Sequence, residues 1–124
     1  MIPMSYKKLA KIVEELSAAT DREILFWEET IKDDTFQTAL SGYAVRISRV
    51  WFPDEDCYEY SIKIYNEAGR LVEEADQFVL VEDLENATTV MYDLFEKARR
   101  VAMGTDTALD SIISELSKEW PSSN

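Results

Sequence analysis

The apolar residues of this chain change their spacing twice, and those two changes dictate the fold class. Over residues 5–19, Tyr6, Leu9, Ile12, Val13 and Leu16 recur at helical steps, while Lys7, Lys8, Lys11, Glu14 and Glu15 occupy the other faces. From residue 35 to 65 the step becomes two, the signature of half-buried strands. From Leu84 the helical step returns. A helix, then consecutive strands, then helices is an α+β pattern. The links between strands are too short for parallel crossovers. The expectation is an antiparallel meander of about five strands, with one or two C-terminal helices packed on one face.

The element ends carry their own signals. Ser5 can cap the first helix, after Pro3 has discouraged an earlier start, and Ala18 to Asp21 lets it fade. "REILFWEET" (22–30) reads as a strand, with Glu23, Leu25 and Trp27 on one side and Ile24, Phe26 and Glu28 on the other. A short helix also fits that run. In "TFQTAL" (35–40), Phe36, Thr38 and Leu40 share a face, and Ser41-Gly42 suits a tight hairpin. "YAVRISRVWF" (43–52) puts Tyr43, Val45 and Ile47 on one face, then slips near Arg49, because Val50 and Phe52 have the opposite parity. A bulge or the strand's end would explain the slip.

"PDED" (53–56) is a loop, and "CYEYSIKIY" (57–65) is the clearest strand, with Tyr58, Tyr60, Ile62 and Ile64 inward. "NEAG" (66–69) turns the chain into a fifth strand within 70–81, interrupted around residues 73–76. Asp83 or Asn86 can cap the next helix, whose stripe is Leu84, Ala87, Met91, Leu94, Phe95, Ala98, Val101 and Ala102. Pro121 after Trp120 closes the last helix ahead of a loose tail.

Within residues 84–120 two signals compete. Leu94, Ala98, Val101, Thr105, Leu109, Ile112 and Leu116 keep one helical phase, as a continuous helix would. Gly104, after Arg99 and Arg100, is the usual left-handed stop, and Thr105, Asp106 or Thr107 can cap a new start. The cap chemistry predicts two helices with a short corner. A DNA-binding helix–turn–helix is disfavoured, since Asp106, Asp110, Glu115 and Glu119 face a single lysine, Lys118.

The 124 residues suffice for one domain, 1–124, that buries roughly two-thirds of its unfolded surface. With 25 acidic and 13 basic residues the formal charge is −12, a field that repels nucleic acid and anionic membranes and attracts basic partners. The chain has no histidine and one cysteine, Cys57. Ordinary zinc sites, histidine base catalysis and internal disulfides are thereby excluded. No apolar run has signal-peptide or bilayer-spanning length, so the cytoplasm is the expected location.

"LFEKARRVAMGTDTALDSIISEL", with "TFQTALSGYAVRIS" and "YSIKIYNEAGRLVEE" upstream, resembles small uncharacterised bacterial α+β proteins with a meander and a terminal "AR…G.D.AL" helix. The resemblance spans residues 22–116. It implies a bacterial, cytoplasmic protein and carries no activity.

Catalytic and metal chemistry finds little support. Asp54 and Asp56 match the first alternate positions of a calcium loop, but Tyr58 fails the next and Glu59 stands where glycine is needed. Glu28-Glu29 and Glu73-Glu74 are adjacent on strands, so each doublet splits between faces and makes no acid–base pair. Three acids precede Cys57, which works against thiolate activation. No catalytic residue, metal or cofactor is therefore assigned. Trp51 and Phe52 beside the acidic loop, Trp120 near the terminus, and Tyr58 and Tyr60 on the clearest strand are the candidate binding residues. Trp27 reads as core. The leading expectation is a non-enzymatic protein-interaction module, of accessory, adaptor or immunity type, meeting a basic protein or a second copy of itself. The alternative is a small-molecule site or enzyme between sheet and helices, lined by Trp51, Tyr58 and Tyr60.

Overall fold

The computed structural model describes residues 5–119, with the side chain of residue 119 left aside. Helix α1 (Lys7–Asp21) precedes strands β1 (Glu28–Glu29), β2 (Thr35–Leu40), β3 (Tyr43–Phe52), β4 (Cys57–Tyr65) and β5 (Leu71–Asp76). Helices α2 (Gln77–Leu80), α3 (Ala87–Ala102) and α4 (Thr105–Glu119) follow. The strands form one antiparallel sheet in chain order, β1-β2-β3-β4-β5. The architecture is the α+β meander that the periods predict.

Parity decides the core. Phe36, Val45, Ile47, Tyr60, Ile62 and Ala75 point to the helix side and are buried. They meet Leu9, Val13 and Leu16 of α1 and Met91, Leu94, Phe95 and Ala98 of α3. The opposite sheet face carries a polar row across its middle. There Glu28, Gln37 and Arg46 sit in register across three strands, with Gln37 Nε2 donating to Glu28 (3.4 Å) and Arg46 Nε donating to Gln37 (2.7 Å).

Local chemistry sets the ends. Ser41 and Gly42 both have positive φ (53° and 83°), the backbone that a two-residue hairpin turn requires. Ser5 stands one residue before the N-cap position of α1, and its Oγ accepts the Lys7 backbone N–H at 3.4 Å. The N-cap position is Tyr6, whose backbone N–H donates to the distant carboxylate of Asp83 at 3.0 Å. Asp83 therefore serves α1 rather than α3, which starts after Asn86 in a left-handed conformation. Pro3 lies outside the described residues.

Three expectations are corrected. Only Glu28 and Glu29 of the 22–30 run pair as strand, although its alternation holds: Leu25 and Trp27 are buried, while Ile24 and Phe26 face out. The Trp27 indole N–H donates to Thr20 Oγ1 (2.9 Å), which fixes this segment to the end of α1. No bulge occurs at Arg49, because β3 and β4 stay in constant register from Ala44↔Tyr65 to Phe52↔Cys57. The register shift falls instead between Ile64 and Tyr65, opposite β5. The fifth strand is not interrupted at residues 73–76 but ends at Asp76, whose carboxylate accepts the Val79 N–H (2.9 Å) and starts α2.

The corner between the last helices is real. Gly104 has φ +62°, and the Met103 N–H closes α3 on the Arg99 carbonyl at 2.8 Å. Among the described residues, no helix is long and apolar enough to cross a membrane.

Candidate binding surface

Strands β3 and β4 outrun their neighbours. Pairing with β2 stops at Thr35↔Ser48, and pairing with β5 stops at Ser61↔Asp76. Beyond those points Arg49–Phe52 and Cys57–Tyr60 pair only with each other. A free two-stranded ribbon is marginal in water, so its side chains must hold it.

On the helix side they do. Arg49 faces Tyr60 across the ladder, and Trp51 faces Tyr58. The Trp51 and Tyr58 rings meet edge-on, with centroids 4.9 Å apart. Tyr58 lies 6.2 Å from Tyr60, which in turn packs against Phe95 (5.7 Å) and Tyr92 (6.0 Å) of α3. Such pairs stabilise beyond their buried area by roughly 0.5–1.5 kcal/mol each. The ladder runs from buried to open: Tyr60 is 5% exposed, Trp51 45% and Tyr92 46%.

Arg49 locks this stack. Its guanidinium lies 4.3 Å from the Tyr58 ring centroid and 4.7 Å from that of Phe95. Its Nε donates to Asp34 Oδ2 and its backbone N–H to the Asp34 carbonyl, both at 3.2 Å. Burial alone would lower its affinity for a proton, but the Asp34 carboxylate and both tyrosines outweigh that, and the net shift is upward. Burial raises the Tyr60 phenol, against the pull of Arg49. On the other edge, Gln77 stands in for the missing strand. Its Oε1 accepts the Tyr60 N–H (2.6 Å), and its Nε2 donates to the Tyr58 carbonyl (3.0 Å).

The water side of the ribbon differs. Val50 and Phe52 are exposed there, and Glu59 has its pKa raised, first by desolvation and then by the charge of Asp76. The tip, Asp54, Glu55 and Asp56, is exposed. Among the described residues, no three metal-ligating side chains come together.

Of the five sequence-nominated residues, Trp51, Tyr58 and Tyr60 share one continuous stack. Phe52 points to the opposite face, as adjacent strand residues must. Trp120 lies outside the described residues. Sequence reasoning missed Arg49, Tyr92, Asp34 and Gln77. Parity could have found Arg49, because the series Val45, Ile47, Arg49, Trp51 never breaks. Gln77 gave no signal, since its role depends on where β5 stops. The chain matches no protein-family model, no curated protein and no solved structure.

Proposed function

We propose that this chain is a non-enzymatic protein-interaction module whose binding face is the helix-side surface of the β3–β4 ribbon. The partner is a protein segment that is basic and partly apolar. The observation that carries this is the half-open Trp51–Tyr58 pair, held rigid by Arg49 and Gln77, next to an exposed acidic tip. A rigid aromatic anchor with a polar rim is the usual centre of a protein interface. The chain's charge of −12 draws a basic partner and repels an acidic one.

The test is affinity capture from the native host at low salt, comparing the wild-type chain with Trp51→Ala. A basic protein retained by the former and released by salt or by the substitution is the expected result. Identical captures by both chains would remove the ribbon from the interface. Less favours the small-molecule alternative, because Tyr60 packs against Phe95 and Tyr92 on the side where a ligand would enter. A thermal-shift screen of metabolites and divalent ions checks that reading, which would gain from dose-dependent stabilisation by one compound.

A further inference from the structure

Among the described residues, two apolar surfaces away from the ribbon have no cover. The first is on α4, where Leu109, Ile112, Ile113 and Leu116 form one stripe and are 47%, 55%, 61% and 50% exposed. Every described residue from 106 to 118 is exposed, so α4 stands off the body as an arm. The second is a groove of about 530 Å³ along α1, floored by Ile12, Leu16, Ile24 and Leu40. Lys11, Glu15 and Arg22 also line it.

We infer that the groove receives α4 of a second copy, and that two chains exchange their arms reciprocally. Charge complementarity selects this occupant. In a chain with about twice as many acids as bases, the groove contributes two cations, Lys11 and Arg22, against one acid, Glu15. The described side chains of α4 present the inverse: Asp106, Asp110 and Glu115 against Lys118. Pairing α4 with α4 would face acid with acid and leave both grooves open. Reciprocal exchange covers both surfaces of both copies and closes as a two-fold dimer.

Size and position agree. A 15-residue helix is about 22 Å long, enough to run the length of the groove on α1. Half-burying two such helices in two grooves removes roughly 1,400 Å² from water, within the range of specific interfaces. The arm leaves the body beside the groove-bearing helix, because Gly104 to Thr107 share a cleft with Thr20, Asp21 and Glu23. The left-handed Gly104 and the Arg100–Asp106 ion pair (3.3 Å) set the corner that turns α4 away from its own body.

Light scattering after size exclusion, over a range of concentrations, reads the result. The wild-type chain should run at twice 14.3 kDa. Ile112→Asp with Leu116→Asp, and separately Lys11→Glu with Arg22→Glu, should each weaken self-association by at least about tenfold, with far-UV circular dichroism confirming that the body stays folded. Combining Lys11→Glu and Arg22→Glu with Asp110→Lys and Glu115→Lys in one chain should restore the dimer. Trp51→Ala, on the ribbon, should leave it intact, so this test is independent of the ribbon's partner. A wild-type monomer at every concentration overturns the inference, including one whose arm is folded onto its own groove. So does a dimer that the arm substitutions break but the groove substitutions and the charge swap do not affect.

Discussion

Helices α3 and α4 are near twins in length and apolar period and opposites in use. They have 16 and 15 residues, and a single apolar phase runs through both. Yet α3 buries Ala87, Met91, Leu94, Phe95 and Ala98, while the described residues of α4 beyond Thr105 are all exposed. Their tethers differ in the same way. Lys97 of α3 donates to Ser17 (2.7 Å) and Asp21 (2.8 Å) of α1, which clasps the two helices together. α4 has the Arg100–Asp106 pair, which spans only the corner. The hydrophobic period thus says that a segment is helical and amphipathic. It does not say what covers the stripe, because cover is set by backbone direction. One residue in the left-handed region, Gly104, diverts that direction.

The sharpest way to break this contrast is to truncate one apolar residue from each helix. The measurements belong in the Lys11→Glu, Arg22→Glu background, so that docking of a second copy does not contribute. Phe95 is fully buried and touches Phe36, Tyr60 and Arg49. Phe95→Ala should cost about 3–5 kcal/mol in urea unfolding, from lost transfer energy and the cavity left behind. Ile112→Ala, on the open stripe, should stay within about 0.5 kcal/mol. Comparable losses at the two sites would mean that α4 packs on its own body, and the contrast would fail.

How much of this was legible beforehand follows from what each signal measures. Period gave the meander, the helix side of β4 and the stripe of α3, because those depend on alternation and burial within one element. Cap chemistry located Gly104. Long-range partners were not legible. Of the two cap candidates for α3, Asn86 takes the N-cap position, while Asp83 accepts the Tyr6 N–H at the start of α1, 77 residues away. The apparent slip at Arg49 comes from taking the apolar Val50 and Phe52 as inward-facing; both are exposed on the water side, and Arg49 keeps the inward parity. Its stem and guanidinium lie among rings, paid for by the bond to Asp34. Of the candidate surface, the three residues on inward parity were found, and the polar groups that rigidify them were not.

The next effect in size lies at the corner. Gly104 holds φ +62° with nothing within 4 Å of where a Cβ would stand. Gly104→Ala therefore meets no steric clash, and its cost is backbone conformation alone, about 1 kcal/mol. The chain can escape that cost by letting α3 run into α4 as one helix, since the apolar phase already permits it. Small-angle scattering would then show a longer maximum dimension, and circular dichroism slightly more helix. Unchanged dimensions together with a loss much above 1 kcal/mol would mean that the corner is held by packing rather than by glycine.

The smallest effect is the most discriminating. Asp106 sits in the first turn of α4, where a negative charge favours the helix by about 0.3–1 kcal/mol. It also meets Arg100, but the two side chains are 91% and 49% exposed, and such pairs contribute little. In the same Lys11→Glu, Arg22→Glu background, where no second copy holds α4, Asp106→Asn should therefore loosen α4 alone. Amide exchange should quicken from Thr107 to Ser111, while the urea midpoint of the body stays fixed. That outcome requires α4 to unfold independently of the core, as a helix joined only at its corner must. If the midpoint falls together with the exchange protection, the two helices are one cooperative unit, and the contrast between them is a matter of surface exposure rather than of energy.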